Sequence, residues 1–500
     1  MVHNYLTMTP SSYQKEIYRV FKTTSSNINI SAVAGSGKTT VLIHLLNYVP
    51  AGKSAIFLAF NKSIVSELKE RIENKNVEIS TLHAFGWRLI MSRYGGKVRM
   101  NEKKLIGKID QAIKKVDWIP EKKRGYYFYM LSTLVDLMRH NLCEKEIESV
   151  QEIADRYDIP INDQEAELAL KIYAQSASDK SQFDFTDMIY QPVTDATIRF
   201  RKFDYVFCDE SQDFSLAQQN MIKNIIARRG RLITVGDPRQ AIYGFAGADS
   251  NSYESLSTLA GESVRLPLSV CYRCGKRIVQ EAQKIVPEID YHKDAEDGEV
   301  RDGFLTELKY GDWVVCRNVK PLIQTYLWLM KNKIKSHVRG RDIGEGLKAM
   351  VIKTGAKTIA GMMRILENDL EKLKSKLEKR GVRRPELHPK VELFLQRLEV
   401  IECLIYEVPD VKSLLGLLDD IFSDEVNGIL LTTIHKSKGL ENDVIFFLCP
   451  ELIPSVFATQ PWQFEQEYNL KYVAITRAKK ELIYVDGNSF KLSLIEKIKL

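Results

Sequence analysis

Short apolar runs alternate with longer amphipathic stretches along most of the chain. Residues 28–33 (INISAV) predict a short buried strand, followed by a Gly-rich turn and a helical stretch from Thr39 to Tyr48. Residues 54–60 (SAIFLAF) predict a second strand, with an amphipathic helix through Arg71 after it. Strands separated by helices predict a parallel sheet. Residues 87–180 change character: they are rich in Lys, Glu, Ala and Leu, carry few strand signals and predict a helical insertion. The alternation returns with FDYVFCDE (203–210) and RLITVGD (231–237). Both are apolar runs that end in acidic residues, as at the carboxyl ends of buried parallel strands.

A second α/β segment is expected from near Val264 and includes GDWVVCRN (311–318). Residues 341–426 are again helical, and the charge run LENDLEKLKSKLEKRGVRR within them reads as a solvated helix face. Strands return at GILLTTIH (428–435) and DVIFFL (443–448), and the chain is expected to close with a helix around Tyr468–Lys480 and the strand ELIYVD. The fold class is therefore α/β, with two parallel-sheet cores, each interrupted by a mainly helical insertion. The expected boundaries are 1–86 and 181–262 for the first core, with 87–180 inserted. The second core takes 263–340 and 427–500, with 341–426 as a short insertion.

Composition changes this picture little. The 500 residues are 44% hydrophobic and 27% charged, enough to bury several cores. No apolar run approaches the roughly 20 residues that span a bilayer. The opening MVHNYLTMTPSSYQKEIY lacks the apolar centre of a secretory signal, so a cytoplasmic setting, in a bacterial cell or a virus-infected host cell, is expected. The net charge of +7 leans only weakly toward nucleic acid. Seven thinly spread cysteines argue against a disulfide framework. Cys271 and Cys274 have metal-like spacing, but no second pair accompanies them and a zinc site needs about four ligands, so they read as ordinary thiols.

The strongest chemical signal is Ala34-Gly35-Ser36-Gly37-Lys38-Thr39, between a predicted strand and a predicted helix. That is the context a phosphate-binding loop requires. The glycines let backbone N–H groups turn inward around phosphate oxygens, and the helix adds its positive N-terminal end. Lys38 would reach the β- and γ-phosphates and the Thr39 hydroxyl would hold Mg²⁺. Ala32 stands where the general pattern has its first Gly, and a plain Gly-rich turn closing a strand is the competing reading. Such an ATPase needs a second metal-side carboxylate and a base that orients water. Asp209 and Glu210, at the end of YVFC, are the respective candidates.

DESQD (209–213), joined to VGDPRQAIYGFAGA (235–248), goes beyond a generic ATPase and resembles superfamily 1 helicases of the UvrD/Rep/PcrA type. The motifs fall in family order from Gln14 to Arg477. The resemblance implies two RecA-like cores, with ATP and Mg²⁺ as cofactors. It implies that Gln14, in TPSSYQKEIY, reads the adenine edge. From the residues alone Gln14 is an ordinary helix-surface position. Phe60, Asn61 and Lys62, in AFNKSIVSELKERI, and His83, in TLHAFGWRLI, fall where the family touches DNA. Gln240 resembles the glutamine that couples the γ-phosphate to the DNA site. Tyr243 and Phe245 resemble the aromatics on which bases stack, an interaction that tolerates any sequence; core packing is their alternative. Family members often have Trp and Arg where Phe245 and Ala246 stand. In LPLSVCYRCGKRIV (266–279), Tyr272 would stack on adenine and Arg273 would touch the γ-phosphate. LTTIHKSKGLENDVIFF (431–447) offers His435 on the DNA side and Glu441 near the ribose. YVAITRAKKEL (472–482) offers Arg477 as the second γ-phosphate arginine. Thr40 replaces an Arg that often flanks the adenine, which shifts base clamping toward Tyr272 and Gln14.

What the resemblance implies is an ATP-dependent helicase or translocase that moves 3′→5′ on single-stranded DNA and unwinds duplex at single-strand/double-strand junctions. It would act as a monomer in DNA repair or replication, with single-strand-binding or replication and repair proteins as possible partners and no membrane. A translocase that displaces bound proteins without robust unwinding shares every motif. A nucleotide-dependent binding module without turnover leaves Glu210 and Arg477 idle, and a P-loop kinase or GTPase leaves the motifs from Tyr243 onward unexplained.

Overall fold

Six runs between Asn27 and Leu268 pair into one sheet in the computed structural model of the protein. They are β1 (Asn27–Ala32), β2 (Ala55–Ala59), β3 (Val77–Thr81), β4 (Phe203–Cys208), β5 (Ile226–Gly236) and β6 (Ser263–Leu268). The structure describes residues 10–59, 62–72, 74–121, 124–157, 159–244, 247–249, 251–379, 382, 384–422 and 428–495. Phe60, Asn61 and Phe245 lie outside the described residues, as does the side chain of Lys62. The chain divides into two compact units, Met1–Ser269 and Val270–Leu500.

In the first unit the strand order is β3-β2-β4-β5-β1-β6, and every pairing is parallel. Ile56, Leu58, Val206 and Leu232 fill one face of the sheet, while Phe57, Phe207 and Ile233 fill the other. Burial on both faces explains why these runs read as continuous apolar stretches rather than alternating ones. Four helices, Lys104–Lys114, Arg124–His140, Ile147–Arg156 and Asp163–Ser178, make a separate core around Ile109, Met130, Leu134 and Ala169. A short parallel ladder pairs Arg99–Met100 with Gln182–Phe183. Beside it sits a buried ionic network: Lys104 Nζ lies 2.7 Å from Asp187 Oδ2, and Arg139 reaches Asp187 at 2.7 Å and donates to Asp184 at 3.0 Å.

The second unit repeats the plan with β7 (Glu299–Asp302), β8 (Trp313–Cys316), β9 (Ser336–Arg339), β10 (Ile429–Thr433), β11 (Asn442–Leu448) and β12 (Ala478–Val485). The order is β7-β12-β11-β8-β10-β9, again wholly parallel. The helices Arg341–Lys353, Ile359–Glu378, Pro389–Leu404 and Val411–Ile421 interrupt it between β9 and β10. On the charge-rich helix Ile359–Glu378, Met362, Leu366, Leu370 and Leu377 form a buried stripe, so its charges take the outer face. Unlike the first insertion, this one shares a single apolar core with its sheet, including Val314 and Leu431. No described helix is long and apolar enough to cross a membrane.

Two expectations need correction. The run SVRLPL, expected to open the second core, is β6: its register (Asn27 with Ser263 through Ala32 with Leu268) makes it the edge of the first sheet. An apolar run announces a strand but not its partner. The closing helix runs from Pro461 to Ile475, earlier than expected. The Ala478–Val485 strand replaces its predicted last turn because that segment pairs with β11, and a further helix, Gly487–Ile495, follows.

Candidate nucleotide and nucleic-acid sites

The phosphate-loop candidate leaves the carboxyl end of β1, and Gly35 and Gly37 adopt φ of 68° and 82°. Only glycine takes that conformation without strain. The turn is held by Ser36, whose hydroxyl donates to the Val33 carbonyl at 2.8 Å, and by Val33 N–H donating to Leu268 of β6 at 3.1 Å. Helix Lys38–Asn47 starts directly after Gly37. Lys38, Thr39 and Thr40 therefore occupy a first turn whose N–H groups lack intrahelical partners, the arrangement that binds anions. Within the loop, Ala34 and Ser36 are buried.

Gln14 reaches the same place from the Ser12–Thr23 helix. Its Oε1 accepts from Ser11 N–H at 3.0 Å in a capping box. Its Nε2 would then lie 3.5 Å from a Cβ added to Gly37. Gln14 is buried, not a surface residue.

Lys38 faces a set of carboxylates at the ends of β4 and β5. Its Nζ is 3.6 Å from Glu210 Oε2. Burial works against its charge, but Glu210, Asp237, Asp209 and Asp213 outweigh it and raise its pKa. Burial, then the neighbouring Glu210, pushes the Asp209 carboxyl up to about 7, against the pull of Lys38. Asp237 is raised for the same first reason, burial. Glu210 stands in the left-handed region at φ 51°, uncommon for a residue with a side chain. Gln212 ties the cluster together: its Nε2 donates to Glu210 at 2.5 Å and its Oε1 accepts from Asp237 N–H at 3.0 Å. Gln240 donates to Asp237 Oδ2 at 2.6 Å, so the coupling candidate is anchored to this acidic cluster. Buried carboxylates in excess of one lysine suit a divalent cation. Among the described residues no three His, Cys, Asp or Glu side chains form a complete protein cage. Mg²⁺ is commonly held by one or two protein groups with phosphate and water supplying the rest; Thr39 stands in the first turn after the loop and Asp209 directly after β4, as the two candidates for such groups.

Asp237 and Gln212 were missed as site residues, although Asp237 follows an apolar strand just as Asp209 does. Farther along the first unit, His83 sits in the first turn of the Leu82–Tyr94 helix and stacks on Phe185, ring centroids 4.0 Å apart and 22° from parallel. Phe185 is 55% exposed, an uncommon placement for a bare aromatic ring, and sequence reading passed over it. Burial, then His140, pushes His83 down to about 4, so it is neutral near neutral pH. Tyr243 is half-buried in the loop after Gln240.

The second unit gathers its own group. Arg273 donates to the Thr476 carbonyl at 3.2 Å and pairs through Nε with Glu441. Glu441 also lies 3.5 Å from Lys479 Nζ. Arg477, 1% exposed, donates to the carbonyls of Val473 at 2.9 Å and Leu440 at 2.8 Å. Burial, then Arg273, lowers its pKa to about 10. Tyr272 packs against His292 at 4.9 Å between ring centroids. His435 stands apart from this group, in the short Ile434–Ser437 helix after β10, and burial, followed by Arg317, Lys436 and Lys438, pushes it down to about 3.

Comparison with known proteins decides the family. Residues 13–260 match the UvrD/REP helicase N-terminal domain, and residues 368–486 match the UvrD-like helicase C-terminal domain. The chain belongs to the UvrD/Rep/PcrA-type superfamily 1 helicases. It is 28% identical over 292 residues to the ATP-dependent DNA helicase PcrA of Bacillus subtilis, covering 53% of this chain and 38% of that protein. It is 27% identical over 307 residues to a protein of the same name from Staphylococcus epidermidis, covering 57% and 40%. It is 23% identical over 527 aligned positions to the F-box DNA helicase protein 1 of Schizosaccharomyces pombe, covering 95% of this chain and 57% of that protein. The matched stretches thus span about two-fifths to three-fifths of these relatives' lengths. The two parallel-sheet units are the RecA-like cores of this family.

Proposed function

We propose that this chain is an ATP-driven motor that moves 3′→5′ along single-stranded DNA and unwinds duplex at junctions. The observation that carries the reading is the first unit's constellation: Lys38 facing Glu210, with Asp209 and Asp237 beside it and Gln240 bound to Asp237. Lys38 and the first-turn N–H groups would hold the phosphates, and Gln14, Thr40 and Tyr272 the base. Glu210, fixed by Gln212, would orient the attacking water and accept its proton. By likeness to the family, Arg273 and Arg477 would stabilise charge that develops on the γ-phosphate, and Glu441 would lie near the ribose. Such arginines are worth about 10³–10⁵ in rate. Thr39 and Asp209 would hold Mg²⁺, which would supply positive charge against the phosphates. Gln240 would pass the state of that site to the loop bearing Tyr243 and Phe245.

DNA as the track is supported by the names of the relatives; the direction rests on the likeness of the AFNKS and YGFAGA motifs to the UvrD branch. Phe60, Asn61, Lys62, His83, Tyr243, Phe245 and His435 would make the strand contacts, and exposed Phe185 joins them. A monomer working with single-strand-binding or replication and repair proteins is the expected form. Duplexes with either a 3′ or a 5′ single-stranded tail test the reading. ATP-dependent strand separation from the 3′ tail is expected. Separation from the 5′ tail only would reverse the direction, and protein displacement without separation would favour a translocase.

A further inference from the structure

The last turn of the Arg124–His140 helix, in the first insertion, touches two segments that are far apart in sequence. One is 184–187, which carries Phe185. Asp136 accepts a hydrogen bond from the Thr186 hydroxyl at 2.8 Å, while Arg139 donates to Asp184 at 3.0 Å and reaches Asp187 at 2.7 Å. The residues on both sides of Phe185 are thus tied to the helix, yet its own ring stays 55% exposed, stacked on His83. The other segment is the turn that carries Tyr243. In it Gly247 N–H donates to the Gly244 carbonyl at 3.0 Å and Ala248 N–H donates to the Tyr243 carbonyl at 3.4 Å. This turn lies on the His140 side chain: a Cβ added to Gly247 would come within 3.1 Å of His140 Cβ and 3.3 Å of its Cγ and Cδ2. Gly247 stands at φ 88°, so glycine meets two demands here, a left-handed backbone and a close approach. The His140 ring in turn faces Asp136, Nε2 to Oδ2 at 3.7 Å.

We propose that His140 is a positioning residue for strand binding: its ring seats the Tyr243–Ala248 turn, and through Asp136 and Thr186 the same helix end holds the Phe185 segment, so that two aromatic-bearing segments are kept in one register for the bases of a single strand. The contact is one of shape. Gly247 meets the imidazole carbons with bare backbone, so removing the ring leaves a gap that no side chain of Gly247 can fill. A turn with glycine at 244 and 247 has wide conformational freedom, and an outside support is what restricts it. Stacking needs the ring and the base face to meet in a set orientation, so a turn that wanders weakens the grip even when every aromatic is still present. Asp136 serves both sides: one carboxylate oxygen takes the Thr186 hydroxyl and the other faces the His140 ring.

The link to a strand rests on the function proposed above; the seating of the turn by His140 does not. The full chain is compared with His140→Ala and His140→Phe in two measurements. The first is amide hydrogen exchange over residues 241–249 without DNA. The second is the concentration of a mixed-sequence single-stranded oligonucleotide that half-saturates the stimulation of ATP hydrolysis. His140→Ala should exchange faster over that segment. Its half-saturating concentration should rise about 5–100-fold, the equivalent of one lost base stack, while the rate at saturating DNA stays that of the wild type. His140→Phe keeps a ring under Gly247, so it should restore slow exchange and most of the affinity. Unchanged exchange in His140→Ala overturns the seating. Faster exchange with unchanged half-saturation overturns its link to the strand. A saturated rate that falls together with the affinity, with neither restored by Phe, also overturns the proposal, because His140 would then hold the fold rather than aim the turn. A wild type that does not respond to the strand counts against the proposed function, and the exchange measurement then still decides whether His140 seats the turn.

Discussion

Glu210 owes its place to three constraints: a left-handed backbone, the Gln212 amide at 2.5 Å and Lys38 at 3.6 Å. Replacing it by Gln keeps the shape and removes the base, so Glu210→Gln should still bind a fluorescent ATP analogue while turnover falls by about 10²–10⁴-fold. Loss of binding instead would mean that Glu210 holds the loop rather than the water. His83 makes a pH prediction. Its folded-state pKa, about 4, lies below the ordinary imidazole value of 6.5, so the unfolded chain binds the proton better. Stability tied to His83 is therefore whole above pH 6.5 and is lost as pH falls toward 4. The melting temperature of the wild type should fall more steeply over that window than that of His83→Gln; parallel curves would contradict the burial argument. The placement of Lys38 was legible from the Gly-rich turn before it and that of Asp209 and Glu210 from the apolar run they close, but Asp237, at the end of an equally apolar run, was passed over. Gln14 was legible only by likeness to a family, because its burial depends on a loop distant in sequence. Phe185 was not legible, because an aromatic in QFDFTD looks like core until its exposure is seen.

At the level of elements, the interior strands β1, β2, β4, β5, β8, β10 and β11 were readable as apolar runs. The edges were not: β3 (VEIST), β7 (EVRD) and β9 (SHVR) are short and mixed in polarity, and β6 was assigned to the wrong sheet. An edge strand has one neighbour and one partly wet side, so its sequence need not be apolar throughout. The helices of the first insertion are joined to the Asp187–Thr194 helix by Lys104, Arg139, Asp184 and Asp187. Removing one partner from a buried pair leaves an uncompensated charge and costs about 3–5 kcal/mol. Asp187→Asn should lower the local stability of the Lys104–Lys114 helix by that order, measured by native-state hydrogen exchange. Unchanged protection would mean the network is not what holds the insertion. Gly86 lies where the Leu82–Tyr94 helix passes the Met188 carbonyl, and a Cβ there would collide with that backbone oxygen. Gly86→Ala should lower the melting temperature and disturb the stacked His83 with it, seen as a loss of soluble, folded protein or of DNA affinity.

For the whole molecule, sequence-independent contacts to phosphates and base faces predict DNA binding that weakens steeply and log-linearly with salt. Affinity for a mixed-sequence single strand, measured by anisotropy from low to physiological salt, should follow that line; a flat response would point to another polymer. On the proposed function, the acidic cluster around Lys38 is a nucleotide engine whose turnover depends on the strand the protein grips. ATP hydrolysis is measured with and without single-stranded DNA, on the wild type and on Lys38→Ala. Strong stimulation by DNA is expected in the wild type and none, with negligible turnover, in the variant; equal turnover with and without DNA would rule out a DNA-coupled motor.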